Sequence, residues 1–236
     1  MVDTDKNILV VAAIKGELKA FIEPLNAEEA KLGPFTYYTD ELAGGNKVYC
    51  VLCGAGKVNS ASITSAFIAQ KDFNIGLVIN TGTAGSLDKS VKKGDIVVGV
   101  DYYQHDYDIT GLFSDFKIGQ MMGKDNILDV VPADIIDKMP RQDNVHFGTI
   151  ISGDRFIDAG VEFQHGRPLA VDMESAAISH MCYHFYKIPF VSIRAITDGA
   201  DGDAHEDWIT THERLSYAAA EYSMKAITEL YQSNFK

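Results

Sequence analysis

The sequence predicts an α/β fold, a three-layer α/β/α sandwich in which helices cover both faces of a central, mostly parallel sheet. Short apolar, β-branched runs alternate with helix-length segments along the chain, the pattern of parallel strands joined by crossover helices. Most of these runs are punctuated by Gly, Asp or Thr on their C-terminal side, as strands entering turns are. The 236 residues are 46 % hydrophobic and 23 % charged, enough to build a core without disulfide staples.

The first strand is read over residues 8–13 and is followed by a helical pattern over 17–25. A second strand, 48–53, leads into a helix over 58–70, and strands over 77–80 and 96–100 come next. Residues 101–144 are less regular, with clusters of Gly, Asp and Met, and are read as a long loop with one helix near 134–139. A strand at 149–151, a helix at 174–185, a strand at 190–196 and a terminal helix from about 214 to 231 complete the series. No proline-rich linker, low-complexity tract or repeat divides the chain, so a single domain over 1–236 is expected.

Lys plus Arg number 21 against 33 Asp plus Glu, a net charge of −12. Such a chain repels phosphate backbones and anionic lipid, which excludes nucleic acid and membrane surfaces as expected partners. The N-terminus is acidic where a signal peptide needs a basic flank, and no apolar run approaches a membrane span. A cytoplasmic protein is expected.

Cys50 and Cys53 form a CxxC, but within an apolar strand run where residues three apart point to opposite faces. They are read as buried small hydrophobes. His180 and His184 stand four apart on a predicted helix, a chelating spacing, yet Met181 occupies the place of a zincin's glutamate. They are read as a partly buried structural pair, and no metal or cofactor is expected. His105, Asp106 and Asp108 lack a ligand spacing and are read as a solvated loop. Gly54, Gly56 and Lys57 evoke a phosphate loop, but Val51 and Val58 stand where a P-loop needs Gly and Ser or Thr. Tight strand-to-helix turns account for those glycines.

In open α/β sheets ligands bind beyond the carboxyl ends of the strands, and the residues there are unusually polar. Glu17, Glu174 and Asp198 each follow a separate apolar run, where this topology would gather them. Each alone is well placed as a cap for a helix or turn.

Their flanks carry more. Residues 12–18 (AAIKGEL), 79–85 (INTGTAG), 152–157 (SGDRFI), 171–177 (VDMESAA) and 194–201 (RAITDGAD) resemble, in order, the hallmarks of the 5'-methylthioadenosine/S-adenosylhomocysteine nucleosidases of the purine nucleoside phosphorylase superfamily. The resemblance runs from about Ile8 to the C-terminus. It implies a nucleoside phosphorylase-like fold with a twisted, mixed sheet. It also implies hydrolysis of two small adenosine thio-nucleosides, methylthioadenosine and S-adenosylhomocysteine, to adenine and a thio-sugar in methionine salvage. By the same resemblance Glu17 activates water with Arg194 and Thr83 nearby, Met173 and Glu174 contact ribose, Phe156 stacks on adenine and Ile157 reads its edge through backbone groups. Asp198 is implied as the acid at purine N7, and Ile14, Ala84, Gly85, Thr197 and Trp208 complete the implied substrate contacts. The loop around Leu112 and Phe113, with Met122, matches a segment that reaches into a partner subunit's site, which implies a homodimer.

Four positions depart from the family's pattern: Ile14 stands for a more usual Met, Thr83 for Ser, Asp172 for Glu, and Trp208 for a Phe on the 5' side. Trp208 and the altered 112–122 loop bear on the preferred 5' substituent.

Breaking an N-glycosidic bond builds positive charge on the sugar and negative charge on the base. A protonated carboxyl, an ionised one at the ribose and a third acting as base on water meet the three demands. A phosphorylase of the superfamily would need cations for its phosphate, and this chain has Lys15 and Asn80 where hexameric relatives carry arginines, while Lys57 is unassigned. Water is therefore the expected acceptor. The competing readings are a sister nucleosidase acting on another adenosine such as aminodeoxyfutalosine, a phosphorolytic enzyme, and a silent nucleoside-binding module.

Overall fold

The computed structural model describes residues 2–124, 126–160, 163, 165–232 and 234–235. The chain runs β1 (Asn7–Ala12), α1 (Lys15–Ile22), β2 (Glu28–Leu32), β3 (Phe35–Glu41), β4 (Lys47–Leu52), α2 (Lys57–Ile68), β5 (Ile75–Ser86), β6 (Ile96–Gln104), β7 (Asp129–Val130), α3 (Ala133–Ile136), β8 (Val145–Ser152), β9 (Ala170–Asp172), α4 (Ser175–His180), β10 (Phe190–Asp198) and α5 (Ala204–Tyr231). Helix α4 continues into a π-helical segment, Met181–Tyr186.

All ten strands belong to one mixed sheet. Its long central ladders are parallel: β4 with β1, β1 with β5, β5 with β10, and β6 with β8. Strands β2, β3 and β4 add an antiparallel edge. At the other side the sheet curls shut, because β10 pairs with both β5 and β6 while β9 bridges β8 and β5. The result is a five-strand ring from which four strands extend in the order β1, β4, β3, β2, while β7 pairs with β6.

The central strands are buried on both faces and read as continuous apolar runs. Ile8, Leu9, Val10 and Val11 of β1 have no exposed surface, nor do Leu77, Val78 and Ile79 of β5. Helices α1 and α5 pack together on one face, against β5 and β10, and α2 and α4 pack on the other. The expected three layers are present.

Several boundaries differ from the sequence reading for physical reasons. Strand β5 runs on to Ser86 and β10 to Asp198, so the glycine-rich stretch expected to follow a strand is itself strand. Glycine serves there because other groups crowd the backbone. Helix α5 starts at Ala204, ten residues before the expected start, since its first turns are largely solvent-facing and lack a clear apolar stripe. The hairpin of β2 and β3, turning at Gly33 (φ 55°) and Pro34, adds two strands to those expected; both are half-exposed and carry charge, so neither shows as an apolar run. The short helix expected near 134–139 is α3.

Candidate active site

The carboxyl ends of β1, β5, β9 and β10 and the loops after β4 and β8 open into one cleft of about 640 Å³, its mouth included. Ile14, Glu17, Thr83, Ala84, Gly85, Phe156, Ile157, Met173, Glu174, Thr197, Asp198 and Trp208 all line it. Arg194 lies behind the wall, fully buried. Phe113 and Met122 are outside this chain's cleft, exposed on the segment before β7. Ala13, Ala55, Arg155, Val171 and Asp172 also line the cleft although they had no assigned role, because their side chains carry no chemical signature of a site or sit beside one that does.

Glu17 belongs to the first turn of α1 and divides its two oxygens. Oε2 accepts the N–H groups of Ala13 (3.0 Å) and Ile14 (3.2 Å), which caps the helix from inside. Oε1 accepts the N–H (2.8 Å) and Oγ1 (3.1 Å) of Thr83 on β5. Capping and a place in the cleft therefore belong to one residue.

Glu174 precedes α4 but does not cap it. That task falls to Asp172, whose Oδ1 accepts the N–H groups of Glu174 and Ser175, each at 3.2 Å. Glu174 is thereby free to accept the Gly56 N–H on Oε1 (3.0 Å) and Arg194 Nη2 on Oε2 (3.2 Å). Burial pushes the Glu174 carboxyl above the usual range, the Arg194 guanidinium pulls it down, and Asp172 and Glu17 add to the rise.

Arg194 Nη2 pairs with Asp172 Oδ2 (2.7 Å), and it donates to Asn80 Oδ1, while Nε donates to Ser192 Oγ (3.1 Å). Its Nη1 is buried without a partner among the described residues. A Cβ added to Gly82 would lie 2.6 Å from that Nη1 and 2.5 Å from Glu17 Oε1, so both atoms converge on a gap that only glycine leaves open.

The ladder between β10 and β5 slips by one residue at Thr197, between Ile196 opposite Ala84 and Asp198 opposite Gly85. Such a bulge re-aims the following side chain, and Asp198 turns into the cleft. Its Oδ2 accepts Thr197 Oγ1 (2.7 Å) and its Oδ1 the Ala200 N–H (2.9 Å). Burial raises the Asp198 carboxyl, two hydrogen bonds oppose the rise, and Asp207 and Asp201 add to it.

At the rim, Lys57 is bound rather than free: Nζ lies 2.5 Å from Asp106 Oδ1 and 3.8 Å from Asp154 Oδ2. Asp106 also accepts the Asp154 N–H (2.8 Å). The expected solvated loop at 105–108 is thus tied to α2 at Asp106, while Asp108 closes a turn onto Thr110. Gly54 and Gly56, at φ 83° and 98°, make the tight turn into α2. Lys15 lines a separate groove, and Asn80 is buried, donating to Val11 O (2.9 Å).

Cys50 and Cys53 are buried free thiols pushed far up by burial. His180 and His184 stack with ring centroids 4.8 Å apart. His180 is partly buried as expected, but His184 is exposed, with Nε2 2.6 Å from Asp129 Oδ1 on β7. Burial, and then the Lys124 ammonium, hold the His180 ring down at about 4.

A family model described as the phosphorylase superfamily matches residues 7–231. The 5'-methylthioadenosine/S-adenosylhomocysteine nucleosidase of Exiguobacterium sp. (strain ATCC BAA-1283 / AT1b) is 32 % identical, the match covering 95 % of this chain and 98 % of that protein. Among solved structures, the 5'-methylthioadenosine/S-adenosylhomocysteine nucleosidase of Neisseria meningitidis, in complex with methylthio-immucillin-A, is 31 % identical with a TM-score of 0.83, over 94 % of this chain and 98 % of that one. The S-adenosylhomocysteine nucleosidase of Streptococcus pyogenes, in complex with 5-methylthiotubericidin, is 27 % identical with a TM-score of 0.85, over 95 % and 97 %.

The crowding at Gly82 yields a test of the site's packing. Gly82→Ala should destabilise the protein by about 1–3 kcal/mol, because neither Glu17 nor Arg194 can give way without losing buried partners. Urea denaturation measures it, and an unchanged midpoint would contradict the convergence of the two side chains.

Proposed function

Because the chain belongs to the phosphorylase superfamily, and within it to the 5'-methylthioadenosine/S-adenosylhomocysteine nucleosidases, we propose that it hydrolyses the N-glycosidic bond of methylthioadenosine and S-adenosylhomocysteine, releasing adenine and the thio-sugar. The observation that carries this reading is the separation of three buried carboxylates, each with its own partners, around one cleft. Hydrolysis needs three charge states at three places, and environment is what tells carboxylates apart.

Asp198 acts as the acid. Burial raises its carboxyl, which favours the protonated form that gives its proton to N7 of the departing adenine, so the base leaves neutral. Glu174 serves the ribose: its oxygens accept the sugar's hydroxyl protons and its negative charge lies close to the cationic sugar as the bond breaks. Glu17 takes a proton from water, with Thr83 and the unpartnered Arg194 Nη1 beside the same gap, and the hydroxide adds to the anomeric carbon on the face opposite adenine. Phe156 and Ile157 take the adenine, Met173 the ribose, and Ile14 with Trp208 the 5' end.

Water rather than phosphate is the acceptor. Lys57 is engaged by Asp106 and Asp154, Arg194 by Asp172 and Glu174, and Asn80 is spent on Val11 and Arg194. Among the described residues lining the cleft, Arg155 is the one basic side chain, and it turns to Asp158 at 3.5 Å. We further propose that the protein is a cytoplasmic homodimer serving methionine salvage, with Leu112, Phe113 and Met122 reaching toward the partner's cleft. These three side chains are exposed apolar surface on one segment, which association would cover.

Incubation with methylthioadenosine in phosphate-free buffer should release adenine at a rate that added phosphate leaves unchanged; sugar 1-phosphate as the main product would overturn the reading. Asp198→Asn keeps the shape and the turn but cannot deliver a proton, so kcat should fall by about 10²- to 10⁴-fold with little change in thermal stability. A mere cap would tolerate the change. Light scattering should report a dimer, and Phe113→Ala should weaken binding of the 5' substituent more than that of adenine; a fully active monomer would count against the shared site.

A further inference from the structure

Away from the cleft, Asp129, His180 and His184 bring an oxygen and two nitrogens together. The three donor atoms lie within 4.8 Å of one another. Three points so spaced share a centre no farther than 4.8/√3, about 2.8 Å, from each. Zinc binds nitrogen and carboxylate oxygen at about 2.0–2.2 Å, so sub-ångström side-chain rotations would close the set.

The surroundings favour an ion. Asp129 is buried, its Oδ2 fixed by Ser179 Oγ (3.0 Å). His180 Nδ1 is buried with no partner among the described residues. His184 stands in the π-helical segment, a helix distortion found often at functional sites, and its ring is open to solvent, which provides an entry path. The site also holds a cation already: Lys124 Nζ lies 2.6 Å from Asp129 Oδ1, the oxygen that His184 also contacts. An ammonium can only hydrogen-bond to the lone pair of a neutral imidazole, whereas a borderline metal ion coordinates it directly, along with the second imidazole and the carboxylate.

We propose that Asp129, His180 and His184 form a site for a divalent transition ion such as zinc or cobalt, in which the ion displaces the Lys124 ammonium. The two-nitrogen, one-oxygen donor set suits those ions better than calcium or magnesium. His180 follows Glu174 by six residues, about 9 Å along a helix, and none of the three donors lines the cleft. The ion is structural: it ties β7, which closes the segment bearing Phe113 and Met122, to the helix that follows Glu174.

Tag-free protein stripped with chelator and titrated calorimetrically with zinc chloride should bind one ion per chain, and zinc should raise its melting temperature. His180→Ala/His184→Ala should weaken binding by about tenfold or more, and should remove the thermal shift. Lys124→Ala should tighten binding severalfold, because no ammonium has to leave. Absence of saturable binding to the wild type, or equal affinity in the double variant, would overturn the site. Should the double variant not fold, Lys124→Ala decides: unchanged or weaker zinc affinity rejects the proposal. Neither readout depends on nucleosidase activity.

Discussion

A guanidinium with no exposed surface lies at the centre of this molecule. Burying such a charge costs several kcal/mol unless its partners are also buried and well placed, and Arg194 draws them from several elements. Asn80 comes from β5, Ser192 from β10 itself, and Asp172 and Glu174 from β9 and the turn into α4. Asp172 in turn takes Ser152 Oγ of β8 at 2.5 Å. The junction of the ring strands is thus a polar network in which each member is held by the need to satisfy another. Glu174 is fixed before any ligand arrives.

Preorganisation of this kind explains why glycine recurs where the strands end. Gly82 leaves room for Glu17 and Arg194 to converge, and at Gly85 an added Cβ would sit 2.8 Å from Asp198 Oδ1. The bulge at Thr197 then rotates Asp198 out of the ladder's alternation. The backbone gives up side-chain packing at these positions so that charged groups can approach one another closely.

Much of this was legible in the amino-acid order. The apolar runs of β1, β4, β6 and β10 announce themselves because they are largely buried; their polar ends point to Glu17, Glu174 and Asp198, and the family resemblance to nine further residues that line the cleft. What escaped did so for identifiable reasons. Asp172 stands in the sequence only as a departure from the family's Glu, and nothing local says that it caps α4 so that Glu174 need not. Lys57 and Asp106 are 49 residues apart, and only the adjacency of the α2 start to the end of β6 turns two stray charges into a pair. Asp129 is likewise distant in sequence from the histidines it joins.

Ring closure has a corollary for how the protein keeps apart from itself. A sheet normally has two long edges, each a row of unpaired backbone groups able to recruit a strand from another molecule. Here the ring removes one of them, and the long edge left is β2. That strand reads Glu28-Glu29-Ala30-Lys31-Leu32, with both glutamates and the lysine turned to solvent. Charge on an edge strand repels a copy of itself and makes strand addition unfavourable. The polarity that leaves β2 without an apolar run in the sequence is therefore what guards the sheet against aggregation through its open side.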